Sequence, residues 1–149
     1  MKLDQLLAEF DENDPEIALE TLMEFSETLP PTARVQGGVS PDPGCRIQEC
    51  QTPVYLWVEV RDGGVHLEAS VTEKSPTVRG FVALLVEGLA GATPAEVLQL
   101  PDDFLPRLGL SETLGMTRRR GFLGIVSRIK REVSRLTGTN LPNGTGSIS

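Results

Sequence analysis

Histidine and cysteine are nearly absent from this chain. Of 149 residues, one is histidine (His66) and two are cysteine (Cys45 and Cys50). Structural zinc takes four Cys or His ligands, and an iron–sulfur cluster takes about four thiolates. A metal site built within one chain is therefore short of ligands. The Cys-x4-Cys spacing, with no second pair, is a weak metal signal. The glycines fall into neither a G-x-G-x-x-G nor a Walker pattern, so no phosphate-cradling loop is expected. Long apolar runs are missing too. The longest, near Phe81 to Val86, is far too short to span a bilayer. Basic residues are few. Fourteen Lys and Arg stand against 21 Asp and Glu, for a net charge of -7 and a pI near 4.7. That balance argues against nonspecific binding to nucleic acid or to an anionic membrane. It favours a partner with a basic face.

What is present suits one α+β domain. Hydrophobic residues make up 39% and charged residues 23%, ordinary proportions for a chain of this length with a single core. The opening stretch, MKLDQLLAEFDEND, turns acidic within four residues and lacks an apolar h-region. It reads as neither a secretory signal nor an Arg-rich transit peptide, and a cytoplasmic protein is expected. A structural disulfide is not expected in a reducing compartment. Charge is unevenly placed. Residues 1–30 hold nine acidic side chains and one basic, Lys2, while residues 118–136 hold seven basic and one acidic, Glu132. Two readings stand: the two faces attract each other across the domain, or one of them docks a partner.

Periodicity outlines the elements. Leu3, Leu6, Leu7 and Phe10 have helical spacing. Asn13 or Asp14 can cap a second helix with Pro15 at its first position and Ile17, Ala18, Leu22 and Phe25 on its apolar side. Leu29-Pro30-Pro31 ends it. Residues 32–44 read as a Pro/Gly/Ser/Thr loop. Val54, Leu56, Val58 and Val60 then alternate with Tyr55, Trp57 and Glu59. Asp62-Gly63-Gly64 makes a turn, and Val65, Leu67 and Ala69 alternate again, which predicts a β-hairpin. Ser75-Pro76 opens a helix that is apolar on most sides and runs to Gly91. Thr93-Pro94-Ala95-Glu96 is a capping box with proline at the first helical position. A short helix is expected within Asp102–Leu108. A last helix, capped by Thr117, carries Phe122, Ile125, Val126, Ile129, Val133 and Leu136 on one stripe. The predicted domain covers residues 1–137, and residues 138–149 read as a disordered tail.

Both cysteines fall in the stretch GCRIQECQTPVYL, residues 44–56, just before the first strand. A Cys–His pair with His66 is formally possible, but the neighbours of His66 signal an ordinary strand residue. A different use of cysteine needs fewer parts. A thiolate on an accessible loop can attack sulfur carried by another protein and keep it as a persulfide. That chemistry needs one nucleophilic cysteine and a docking face, with no metal and no acid–base pair. An unreactive cysteine satisfies the spacing equally well.

Six segments, taken in order, resemble one family. Leu29-Pro30-Pro31 is similar to an LPP that ends an early helix. Ile47-Gln48-Glu49-Cys50-Gln51-Thr52-Pro53-Val54-Tyr55 resembles a segment close to I/V-x-G-C-Q-S-x-V-W. Val78-Arg79-Gly80 fits V-(K/R)-G-L. Thr93-Pro94-Ala95-Glu96-Val97-Leu98 is similar to TPxEI. Leu108-Gly109-Leu110 and Thr117-Arg118-Arg119-Arg120-Gly121-Phe122 fit LGL…S-R-x-x-G-L. These are the marks of the SufE family, the sulfur acceptors of iron–sulfur cluster assembly, and the resemblance spans roughly residues 3–136.

The resemblance implies a small antiparallel sheet packed by helices, as in SufE and the related IscU-like scaffolds. It implies that Cys50 takes persulfide sulfur from a PLP-dependent cysteine desulfurase, stimulates that enzyme and relays sulfur to an iron–sulfur scaffold complex. The PLP belongs to the partner, so no cofactor is expected here. Arg118 falls on the family's S-R arginine, with Thr117 in place of serine, and Arg79 falls on its K/R position. Gln51 follows the acceptor cysteine. Arg118, Arg79 and Gln51 are the supporting or partner-facing residues. Cys45 has no counterpart. Glu49 stands where the family has glycine, and a carboxylate beside a thiol raises its pKa. Glu49 and Pro53 motivate an alternative, a SufE-like adapter without sulfur chemistry. A metal- or cluster-binding scaffold is the other alternative. An IscU-type scaffold would use three cysteines, and this chain has two.

Overall fold

The structure, a computed structural model, describes residues 2–10, 14–32, 46–47, 53–103, 105–110 and 114–138. Helix α1 (Lys2–Leu7) runs into a 3-10 turn over Ala8–Phe10. Asp14 caps α2 (Pro15–Ser26), its carboxylate accepting from the Glu16 amide at 3.0 Å, with Pro15 at the first helical position. The hairpin is formed by β1 (Val54–Arg61) and β2 (Gly64–Val71). Helices α3 (Pro76–Gly88), α4 (Pro94–Leu98), α5 (Leu105–Leu108) and α6 (Met116–Thr137) follow. A two-stranded antiparallel sheet packed by helices is the α+β architecture expected. The loop of residues 32–44, apart from Thr32, and the tail beyond Gly138 lie outside the described residues.

Pleat and register decide which side chains enter the core. Asp62 and Gly63 both take positive φ, 52° and 76°, which is the two-residue turn whose twist suits a hairpin. Val54 then faces Val71, Leu56 faces Ala69, Val58 faces Leu67 and Val60 faces Val65 on the inner side. Tyr55, Trp57 and Glu59 point outward across from Ser70, Glu68 and His66. Both edges of the hairpin are lengthened by short pieces. The Val65 amide donates to the Ala92 carbonyl at 2.7 Å and the Gly91 amide to the Val65 carbonyl at 2.9 Å. On the other edge the Ile47 amide donates to the Val54 carbonyl at 2.8 Å.

Helix α3 is the hub, packing on α1, α2, α6 and β2. It buries Val78, Phe81, Val82, Ala83, Leu84 and Leu85, as its apolar surround predicted. Phe81 stacks on Phe122 of α6 with ring centroids 4.0 Å apart. The capping box of α4 is complete. The Thr93 amide donates to Glu96 Oε1 at 3.0 Å, and the Glu96 amide donates to Thr93 Oγ1 at 3.1 Å. The first of these bonds holds the Glu96 carboxyl below the usual range. Its stabilisation is present above the unfolded value and fades as pH falls through the lowered one.

Several expectations shift. Helix α2 ends at Ser26, ahead of Leu29-Pro30-Pro31, and Ile17 is 46% exposed instead of lying on the apolar side. Helix α3 stops at Gly88, since Gly91 takes φ 79° to turn the chain into its bridge with Val65. Gly115, not Thr117, is the N-cap of α6, because buried Leu114 anchors the entry and the helix starts at Met116. Leu136 is 42% exposed, in the last turn of α6, whose last buried residue is Val133.

Gly80 has no room for a side chain: a Cβ there would lie 1.9 Å from the Leu22 carbonyl oxygen. Gly80→Ala is expected to cost about 3 kcal/mol, since backbone must move to admit it. Gly91→Ala, where only φ is strained and the space is open, is expected to cost about 1–2 kcal/mol. Urea unfolding of both variants checks the order; equal losses would contradict the backbone contact.

Candidate functional site

The candidate acceptor segment is seen through its frame. Cys45, Gln48, Glu49, Cys50, Gln51 and Thr52 lie outside the described residues. On one side stand Arg46 and Ile47, and on the other Pro53 and Val54. Arg46 forms an antiparallel bridge with Tyr55, and Ile47 is fully buried. Ile47 and Val54, which bracket the segment, are hydrogen-bonded to each other.

Arg128 holds this frame from α6. Its Nη1 and Nη2 each lie 3.4 Å from the Arg46 carbonyl oxygen. Arg46 adds a second guanidinium, whose Nε is buried with no hydrogen-bond partner among the described residues. Sequence reasoning singled out neither residue. The signal was there for Arg128: it lies between Ile125 and Ile129 on the buried part of α6, where a cation needs a partner.

Arg118 is exposed at the third position of α6 and makes no hydrogen bond or ion pair through its side chain among the described residues. Arg120 and Arg131 share that condition, and Met116 beside them is 77% exposed. The other cations of α6 are engaged close by. Arg119 meets Asp103 at 2.6 Å, Lys130 meets Asp102 at 3.0 Å and Arg135 meets Glu132 at 2.8 Å. The last pair raises the Arg135 pKa. Among the described residues no ion pair joins α6 to Asp4, Glu16, Glu20, Glu24 or Glu27; Asp11 and Glu12 of the acidic stretch lie outside the described residues. The carboxylates of Glu16, Glu20 and Glu24 along α2, and of Glu27 just past it, are exposed and form no ion pair among the described residues.

Arg79 occupies a different place. Its Nε donates to the Ser26 carbonyl at 2.8 Å and its Nη1 to the Val71 carbonyl. It ties the end of α2 to the end of β2 and floors a cleft shared with Leu29, Pro30, Pro31 and Thr32. The motif Val78-Arg79-Gly80 therefore has a packing logic: a core residue, a clasp and a backbone contact. His66 is half-buried on the outer face of the hairpin, opposite Glu59. Five residues of strand, about 17 Å, separate that pair from Val54, where the acceptor segment returns. Among the described residues no group of three or more His, Cys, Asp or Glu is placed to hold a metal.

The chain is similar to known proteins. The family model described as SufE, Fe-S metabolism associated domain, matches residues 4–133. An uncharacterized SufE-like protein of Mycobacterium tuberculosis is 34% identical over 134 residues, covering 88% of this chain and 90% of that one. The cysteine desulfuration protein SufE of Plasmodium vivax is 35% identical over 83 residues, 54% of this chain and 34% of that one. The solution structure of a hypothetical protein from Thermus thermophilus superposes with a TM-score of 0.75 at 33% identity, covering 93% of this chain and 97% of that one.

If Arg79 is a clasp, its loss is a stability defect. Arg79→Ala strands two carbonyls and is expected to cost about 2 kcal/mol, read by thermal or urea unfolding. Arg79→Lys should recover part of that. A variant of unchanged stability but altered partner affinity would show that Arg79 faces a partner instead.

Proposed function

The chain belongs to the SufE family, and we propose that it serves Fe–S metabolism as a sulfur acceptor with Cys50 as the accepting thiol. The observation that carries this reading is the family match over residues 4–133, together with a cysteine at the motif's acceptor position between Ile47 and Val54. The donor is a persulfide on the cysteine of a PLP-dependent desulfurase. The Cys50 thiolate attacks its terminal sulfur. A new S–S bond forms, the donor's S–S bond breaks, and the donor cysteine leaves as a thiolate that takes up the proton. Cys50 ends as a persulfide, and the desulfurase is freed for another turnover, which is the stimulation expected. A second exchange of the same kind hands the sulfur to an iron–sulfur scaffold complex. The working unit is residues 1–137, in a reducing, cytoplasmic setting that keeps the thiol free.

Arg118 supports the docking half of this reading. It is an exposed cation near the N-terminus of α6, where the helix dipole disfavours positive charge. A partner carboxylate would relieve that. Gln51, next to the acceptor, is assigned to the same contact.

Incubation with a desulfurase and cysteine is expected to add about 32 Da, one sulfur atom, to Cys50 by peptide mass spectrometry. Cys50→Ser should lose both the adduct and the stimulation, while Cys45→Ser keeps them. Stimulation by Cys50→Ser at the wild-type level would sink the acceptor reading and favour the adapter.

Arg118→Glu is expected to raise the acceptor concentration at half-maximal stimulation about tenfold, roughly 1.4 kcal/mol, with the maximal rate little changed. The wild-type value should also rise with salt, since the contact is exposed and charged. A half-saturation point that ignores both changes would remove Arg118 from the docking face.

A further inference from the structure

Two helix faces of opposite charge are left over once the fold is assembled. Helix α2 buries Ala18, Leu22 and Ser26. Successive helical residues turn by about 100°, so Glu16, Glu20, Glu24 and Glu27 stand on the opposite side. All four are exposed and form no ion pair among the described residues. Beside them Ile17 and Met23 are 46% and 47% exposed. Helix α6 buries Phe122, Ile125, Ile129 and Val133. By the same turn per residue, its far side carries Met116, Arg120 and Arg131, all exposed. Neither arginine makes an ion pair among the described residues. The carboxylates near α6, Asp103, Asp102 and Glu132, pair with Arg119, Lys130 and Arg135. Both helices pack on α3 by their buried sides, so the two outer faces look away from the body. One molecule cannot close such a contact with itself.

We propose that these faces bind each other between copies of this chain, α2 of one molecule lying along α6 of the next. The faces match in sign and in spacing. Arg120 and Arg131 are eleven residues apart, and so are Glu16 and Glu27. Eleven residues make about three turns and about 16 Å of helix, so each pair keeps to one side of its helix. Two helices laid side by side can then close both ion pairs at once, with Glu20 and Glu24 between them. Met116, Ile17 and Met23 add apolar surface beside the charges. The net charge of -7 repels copies at a distance, so only local complementarity can hold them together. The patches are unlike, which makes the contact heterologous. Exposed ion pairs are individually weak and salt-screened. The association is therefore reversible, with a dissociation constant on the order of 0.1 mM at low salt. Arg118 lies about 200° around the helix from Arg120, so the contact leaves it uncovered. Nothing in the contact depends on sulfur chemistry.

The test is sedimentation equilibrium of the full chain, with a reductant present, over about 10 µM to 1 mM. Wild type is expected to gain mass with concentration at low salt. At high salt its dissociation constant should rise about tenfold or more. Two variants reverse one face each: Glu20→Lys with Glu24→Lys and Glu27→Lys on α2, and Arg120→Glu with Arg131→Glu on α6. Each variant alone should stay monomeric, since its two faces then carry the same sign. The lysine variant has less net charge than wild type, so repulsion between whole molecules would not explain its failure to associate. An equimolar mixture of the two variants should associate again. Wild type that stays monomeric at low salt overturns the proposal. So does either variant associating alone as wild type does, or a mixture that stays monomeric. Thermal melts establish that the variants fold; if one does not, the wild-type salt series decides, and association that salt leaves unchanged overturns the contact.

Discussion

Helices α2 and α3 meet backbone to backbone, with Gly80 against the Leu22 carbonyl, and the placement of the candidate site is registered from that crossing. One residue earlier, Arg79 reaches the Ser26 and Val71 carbonyls. Val71 is the cross-strand partner of Val54. Val54 receives the Ile47 amide, and the Arg46 carbonyl beside it receives Arg128 from α6. A continuous line of contacts thus runs from the first helices through the sheet to the last helix. It passes through the base of the acceptor segment. The links made by Arg79, the Ile47 amide and Arg128 are each a charged or backbone donor on a carbonyl, the kind of contact that directs as well as attracts. The apolar core supplies the cohesion; this line supplies the alignment.

Much of the fold was legible because local chemistry and burial agreed. Alternation over Val54–Val60 and Val65–Ala69, broken by Asp62-Gly63, left one hairpin register that buries one face. Asp14-Pro15 and Thr93-Pro94-Ala95-Glu96 marked helix starts by satisfying orphan amides. Failures came where tertiary context decides. Thr117 is a good cap by residue type, yet the entry of α6 is set by buried Leu114 and the cap falls to Gly115. Ile17 fits the apolar period of α2 but overhangs the helix it packs on. The α2–α3 crossing could not be foreseen, because periodicity treats Gly80 as a gap in a pattern, not as the contact itself.

The site divides similarly. Cys50, Arg118 and Arg79 were identified by the order of short motifs, which reports a family without reporting geometry. Structure then separates residues that a motif treats alike: Arg118 stands on the surface, while Arg79 is committed to two carbonyls within the fold. The acidic first helices and the basic last helix suggested mutual attraction or a docking face; among the described residues, Asp103, Asp102 and Glu132 pair with Arg119, Lys130 and Arg135 of α6. Arg128 escaped notice because it contacts a backbone carbonyl, that of Arg46, which no side-chain pattern encodes.

The bond between Ile47 and Val54 has a consequence for traffic. Carriers that ferry a group between distant stations commonly do so on a long arm, with the body staying still. Here the two residues that bracket the candidate acceptor segment, Ile47 and Val54, are bonded to each other. On the proposed acceptor reading, sulfur held between two joined ends of a sheet edge travels only if the whole protein travels. Delivery then depends on letting go: each encounter must be brief enough for the loaded molecule to leave one station and diffuse to the next. Tighter docking would speed loading and slow the round trip, so an exposed, salt-screened face suits the molecule better than a buried, permanent one.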